Sequence, residues 1–303
     1  MPFVTGSVRV RVPATSANLG PGYDALGLAL GLHDELTASV AADGLQVEVA
    51  GEGSEHVALD ESHLVVACMR RTFALLDGDP AGLALTCDNR IPHSRGLGSS
   101  AAAIVAGVLL ARALVADGAA RLPDGEVLAL ANEIEGHPDN IAPCLLGGLT
   151  VAWIAGGTAR AVRRDVDPAV LPVVLVPPFT ASTELARGLL PDTVPHADAA
   201  VAAGRAALLV AALTGAPQAL FDATEDRLHQ QYREPAMPDT IELVQRLRAD
   251  GLPAVVSGAG PTVLVLARGD AEAARALAVA PEDWAAQRLA VEVAGASVTV
   301  DPT

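Results

Sequence analysis

Aromatic residues are scarce in this 303-residue chain, which has four Phe, two Tyr and two Trp, and cysteine is scarcer still. Cys68, Cys87 and Cys144 are odd in number and widely separated. They form no Cys-x-x-Cys pair or Cys/His cluster, so neither a disulfide framework nor a zinc site is indicated. Neighbours such as Val66-Ala67 and Leu145-Leu146 mark them as small core residues. Long apolar runs are missing too: the run from Ala101 to Ala111 stops at 11 residues, too short to cross a bilayer. The opening MPFVTGSVRVRV lacks a basic start followed by an apolar stretch, so no signal peptide is expected and the cytoplasm is the expected location. Positive charge is in deficit, with 20 Lys plus Arg against 36 Asp plus Glu, a net charge of −16. Such a surface repels nucleic acid and anionic membranes, and neither is expected as a partner. Gly-x-Ser-x-Gly, His-Glu-x-x-His and Gly-Lys-Ser/Thr are all absent, so a hydrolase elbow, a zinc protease and a P-loop find no support.

What is present is small and apolar. Ala, Val and Leu dominate a half-hydrophobic chain long enough for two domains. Val and Arg alternate over Ser7 to Val12, a half-buried strand, and a Gly/Pro/Asn-rich loop follows through Tyr23-Asp24. Helical spacing is read over 63–76, 99–115 and 124–134, and strands over 83–88 and 148–154. Later strands are expected at 171–176, 254–266 and 296–300, with helices at 183–190, 197–213, 239–249 and 270–279. The elements keep no strict βαβ rhythm, which favours α+β over a doubly wound sheet. The aperiodic Gly/Arg/Asp stretch 155–168 suggests a boundary, dividing the chain into 1–157 and 158–303.

Four segments could carry chemistry. PHSRGLGSSAAAIVAG, 92–107, offers glycines for close backbone approach and two serines at the start of a long helix, where an anion is favoured. A strand-to-helix turn capped by Ser explains it equally well. EIEGHPDNIAP, 133–143, concentrates Glu, His, Asp and Asn in what reads as a loop between a helix and a buried strand; a hydrogen-bonded turn with His137 as a cap is the plain alternative. PATSANLGPGYDALGLAL, 13–30, and SGAGPTV, 257–263, are ligand-supporting loops or ordinary turns. Thr183 and Arg187 stand four residues apart on a helix start, and Arg233 lies in a polar segment able to clamp a carboxylate. His33, His56, His196 and His229 fit no ligand spacing.

In this order, VPATSANLGPGYDALGLAL, PHSRGLGSSAA and SGAGPTV resemble the marker motifs of the GHMP kinases over nearly the whole chain. EGHPDNIAPCLLGG and STELARGLLP are most similar to the branch acting on L-homoserine in threonine biosynthesis. The resemblance implies an α+β fold of two domains, an N-terminal one like domain 2 of ribosomal protein S5 and a C-terminal ferredoxin-like one, with ATP between them. It implies that Pro92, His93, Ser94, Arg95, Gly96, Leu97, Gly98, Ser99, Ser100, Ala101 and Ala102 wrap the ATP phosphates. Ser100 and Glu135 would hold Mg²⁺, and Asn18, Asp24, His137, Asn140, Arg187 and Arg233 would bind homoserine, with Thr183 close by.

Carboxylate recognition suits the two arginines and ammonium recognition suits Asp24, while the hydroxyl must point in line at the γ-phosphorus. Mevalonate and galactose kinases place an Asp near that hydroxyl. Asn140 occupies the matching position and cannot act as a base, so positioning and charge neutralisation carry the reaction, with the proton leaving to a phosphate oxygen or water. The side chain of the adjacent Asp139 is expected to point elsewhere. His63-Leu64 replaces an Asn that many relatives use at the adenine pocket, and His93, Ser94 and Arg95 make a bulkier loop entrance. The competing readings are a mevalonate-type kinase of the same family and a silent metabolite sensor; the intact Ser99-Ser100 pair and Glu135 oppose the second. A homodimer is compatible with the reading.

Overall fold

The computed structural model describes residues 3–301. Strand β1 (Ser7–Ala17) turns Val8, Val10 and Val12 inward and Arg9 and Arg11 outward, the pattern of a strand with one dry face. From Pro13 to Ala17 every residue is buried, because the strand runs on beneath the second half of the molecule, where the Gly258 N–H donates to the Ala17 carbonyl at 2.9 Å. The expected loop therefore begins at Asn18, whose φ of 54° turns the chain. Strands β2 (Leu26–Ala41) and β3 (Gly44–Gly51) follow, then helix α1 (Leu64–Leu75) and β4 (Gly82–Asn89). β3 and β4 pair in parallel, which requires the crossover that α1 supplies.

Helix α2 (Ser99–Leu114) is apolar nearly all round and packs between β1 and α1. Its closeness to α1 depends on Gly107, where a Cβ would stand 2.6 Å from Cys68 Cβ. Beyond it come α3 (Gly118–Arg121), α4 (Asp124–Glu135), α5 (Pro138–Leu146) and the hairpin β5 (Leu149–Ala155) and β6 (Thr158–Arg164). The segment expected as a post-helical loop is thus mostly helix: Gly136 ends α4 in a left-handed conformation and Pro138 starts α5 at once.

The second half contains β7 (Val170–Val176), α6 (Thr183–Gly188), α7 (His196–Gly215), α8 (Leu220–Ala223), a 3₁₀ stretch over Gln231–Ala236 and α9 (Pro238–Ala249). It closes with β8 (Ala254–Val256), β9 (Val263–Arg268), α10 (Gly269–Ala278), β10 (Ala285–Arg288) and β11 (Ser297–Asp301). Its four-stranded sheet runs β10-β7-β9-β8, the order of a ferredoxin-like unit. The larger sheet runs β11-β1-β2-β4-β3, with β5 on β2 and β6 on β5. The α+β expectation holds. A cut at 157/158, however, falls in the turn of the β5–β6 hairpin, both strands of which belong to the first sheet, and β11 returns to pair with β1. Hydrogen bonding thus assigns 158–164 and the chain's last strand to the first unit.

Helix α7 is long and apolar enough to cross a membrane, yet only one face is dry (Ala202, Leu209, Ala212 and Leu213), and Arg205 pairs with Glu225 at 3.0 Å. It reads as a surface helix rich in alanine. All three cysteines are buried, and burial pushes the thiols of Cys68 and Cys87 up to about 11 and about 12.

Candidate active site

The stretch between β4 and α2 is where three distant motifs meet. Gly96 and Gly98 take φ of +75° and +73°, a region that favours glycine. A Cβ on Gly96 would stand 2.2 Å from the Ser257 carbonyl oxygen, and one on Gly98 would stand 2.0 Å from Thr15 Oγ1. The backbone explains the closeness: Thr15 N–H donates to Leu97 O at 3.0 Å, and Ser257 Oγ donates to Gly96 O at 2.6 Å. Ser257 Oγ also shares a hydrogen bond with Ser16 Oγ at 2.8 Å. Motif co-occurrence in the sequence is therefore a packing requirement.

Gly98 is the N-cap of α2 and no side chain among the described residues caps the helix, so the first-turn amides are open to an anion at its positive end. The capped-turn alternative fails on this point. Arg95, expected among the phosphate-loop ligands, turns its guanidinium away to the carbonyls of Pro177 (3.0 Å), Pro178 (2.9 Å) and His93 (3.1 Å). It braces the two halves of the molecule, and only its main chain remains in the loop. The chain contains no lysine, so arginine and backbone amides are the cationic and dipolar resources available here.

On one side of the loop, a cavity of about 160 Å³ is lined by Asn18, His137, Asp139, Asn140, Thr183 and Arg187, with Ser99, Ser100 and Glu135 at its loop wall. Ser100 Oγ donates to Glu135 Oε2 at 2.9 Å, and burial raises the Glu135 carboxyl above its ordinary value while that bond opposes the rise. Hydroxyl and carboxylate oxygens in this arrangement suit a hard divalent cation that takes its remaining ligands from phosphate and water. Asn140 Oδ1 accepts from Thr15 Oγ1 at 2.9 Å, leaving its NH₂ as the group it offers the cavity. His137 is the N-cap of α5 but makes no side-chain cap bond, and burial followed by the Arg187 charge lowers its pKa, favouring the neutral ring.

Arg187 grips Asp24 through both Nη atoms, at 2.7 and 3.3 Å, and donates to the Tyr23 hydroxyl at 2.8 Å. Asn18 fixes this corner by accepting the Asp24 N–H at 2.8 Å. Arg233 lies behind it, 0% exposed, with Nη1 on Gly258 O at 3.1 Å and the Tyr23 ring against its guanidinium; Nε and Nη2 lack partners among the described residues. It does not open onto the cavity in this conformation.

Asp139 corrects an expectation. It does not turn away: it is 1% exposed, lines the cavity, and finds a side-chain partner for neither oxygen among the described residues. Burial first and the Asp24 charge second raise its carboxyl to about 7, against Arg187 and the amides of residues 139 and 140. Tyr23 escaped the sequence reading because a loop tyrosine carries no signal of its arginine neighbours.

On the other side of the loop is a second cavity of about 290 Å³, lined by Leu36, Val57, His63, Val65, Cys87 and His93. The two cavities share Ser94, Ser99 and Ser100. His63 is buried, its Nδ1 has no partner among the described residues, and burial lowers its pKa.

Residues 63–148 match the GHMP kinases N terminal domain, and residues 199–286 match the GHMP kinases C terminal domain. Homoserine kinases of Streptomyces avermitilis and Streptomyces coelicolor are each 59% identical over 296 residues, spanning 98% of this chain and 97% and 96% of theirs. The crystal structure of homoserine kinase from Cytophaga hutchinsonii superposes with a TM-score of 0.85 at 23% identity, covering 99% of both chains, a likeness of fold.

Proposed function

Because this chain belongs to the GHMP kinase family, we propose that it transfers the γ-phosphoryl group of ATP to the hydroxyl of L-homoserine, giving O-phospho-L-homoserine and ADP. The observation that carries the reading is the pair of cavities sharing one glycine-rich loop, with Ser100 and Glu135 at their junction. A nucleoside in the apolar cavity beside His63 and an amino alcohol in the polar one would meet across that loop.

Ser100 and Glu135 fit Mg²⁺ and would hold it; the ion would supply charge neutralisation for the phosphates. The loop amides and the α2 N-terminus receive phosphate oxygens, taking the part a P-loop lysine plays elsewhere. Asn140, held by Thr15, donates its NH₂ to the acceptor hydroxyl oxygen and orients its lone pair toward phosphorus. Because that amide cannot take a proton, the hydroxyl proton passes to a phosphate oxygen or water. Arg187, backed by Arg233 behind Tyr23, draws the acceptor carboxylate; direct contact with Arg233 requires Tyr23 or the 258–260 turn to shift. The same reading places the enzyme in the cytoplasm and gives no role to nucleic acid or membrane.

Coupled measurement of ADP release with L-homoserine, mevalonate and galactose tests it. Release dependent on homoserine alone is expected. Release with mevalonate or galactose but not homoserine overturns the acceptor while keeping the kinase.

A further inference from the structure

We propose that Arg95 is a positioning residue that couples the two cavities, carrying the placement of the glycine-rich loop to helix α6 and so to Thr183 and Arg187. The inference rests on nucleotide and acceptor filling those cavities as proposed above. Helix α6 has six residues, too few to be stable through its own hydrogen bonds. Ala186 is its buried residue, while Leu185 is 57% exposed. Packing therefore contributes little, and the placement of the helix depends on what ties its two ends. At the C-terminal end Arg187 ties it to Tyr23 and Asp24.

At the N-terminal end α6 continues from the irregular segment 177–182, which runs from the end of β7 to the Ser182 N-cap. Arg95 holds that segment. Its Nε donates to Pro177 O at 3.0 Å and its Nη2 to Pro178 O at 2.9 Å, while Nη1 donates to His93 O at 3.1 Å in its own loop. The two far carbonyls belong to consecutive residues, so the planar fork fixes the orientation of the segment as well as its distance. A main-chain bond runs beside the fork, from Ala181 N–H to Ser94 O at 3.3 Å. Phe179 anchors the same segment to the second unit through an edge contact with Trp284, ring centroids 5.8 Å apart.

The main chain of Arg95 belongs to the loop that would meet the phosphates. Its neighbours Ser94 and Gly96 both take positive φ, 54° and 75°, and its carbonyl accepts the Thr262 N–H at 3.3 Å. A shift of this backbone therefore turns the guanidinium and moves the carbonyls it grips. All the side-chain bonds of Arg95 go to carbonyl oxygens, so it acts through geometry and not as a counter-charge. Nucleotide that fixes the loop fixes 177–182 through Arg95, and α6 then meets the acceptor already placed. Two ligands that bias one arrangement in this way raise each other's affinity by the same factor.

Calorimetric titration with a non-hydrolysable ATP analogue plus Mg²⁺, and with L-homoserine, each alone and with the other saturating, reads the coupling. In the wild type homoserine should bind about tenfold more tightly once nucleotide is bound. Arg95→Met removes the fork; it should bring that factor close to one and leave the affinity for nucleotide alone little changed. Arg95→Lys keeps the charge without the fork and should fall well below the wild-type factor. Amide exchange gives a second reading that needs neither acceptor nor variant: nucleotide should slow exchange over 181–188 in the wild type, and should not do so in Arg95→Met. Exchange over 181–188 that ignores nucleotide in the wild type overturns the proposal, as does wild-type coupling retained in either variant. Both ligands weakening together with a lowered Tm marks a merely structural role and overturns it too. Wild-type protein that binds nucleotide but not homoserine overturns the acceptor instead, and the exchange measurement still decides the role of Arg95.

Discussion

Single residues set the chemistry here, and Asp139 shows how little their type alone reveals. Its sequence context, His-Pro-Asp-Asn, reads equally as a turn or a site. Burial with no side-chain partner among the described residues is what gives it consequence, and burial belongs to the folded chain. That state has a pH signature. The folded carboxyl is raised to about 7 from an ordinary 3.8, so the native state binds the proton more tightly than the unfolded chain does. Its contribution is most favourable at low pH and is lost as pH climbs from about 4 to about 7, a swing on the order of a few kcal/mol. Asp139→Asn removes the titration. Its stability advantage over the wild type, measured by urea unfolding, should be small near pH 4.5 and grow toward pH 8. Ser100 and Glu135 tell the opposite story: both are legible as metal-ligand types, and the structure adds the 2.9 Å contact between residues 35 positions apart.

Among elements, the glycine-serine turn into α2 was the most legible as a loop and helix start, since glycine and serine before an apolar helix form a purely local signal, while its phosphate role came from the family resemblance. α5 was the least. Gly136, Pro138 and Pro143 within eight residues read as breakers, yet Pro138 sits at the first helical position, and Ile141, Ala142 and Cys144 bury one face. β2 lies partly in a Gly-rich stretch that reads as a loop, while β3 carries a strand signal in the alternation of Leu45, Val47 and Val49. Two glycine substitutions separate conformation from space. Gly96→Ala meets both a positive φ and the Ser257 carbonyl, so thermal unfolding should show a loss of about 1–3 kcal/mol or more. Its kcat/KM for ATP should fall as the loop shifts. Gly204→Ala, in α7 with nothing within 4 Å of the new Cβ, should instead stabilise by about 0.5–1 kcal/mol and leave kinetics unchanged.

For the molecule as a whole, the two sheets are stitched together rather than laid end to end. β11 comes back to β1 after the ferredoxin-like unit, β6 stays with β5, and the Ser257–Thr262 turn locks onto β1 and the phosphate loop. A fragment of residues 1–157 would leave β5 without β6 and expose both the β1 edge and the buried Pro13–Ala17 stretch. It should give poorly dispersed amide NMR spectra and aggregate, whereas the full chain unfolds cooperatively; a well-dispersed spectrum from the fragment would refute this. The sequence by itself carried the resemblance to the family through three ordered motifs, and it determined the α+β class and the residue types of the glycine-rich loop through local spacing and composition. Only the tertiary structure decided that Arg187 closes on Asp24 across 163 positions, that Arg95 braces the second unit, and that Asp139 is buried with no side-chain partner among the described residues. Pairing and desolvation depend on which distant segments share a cavity, and no local pattern carries that information.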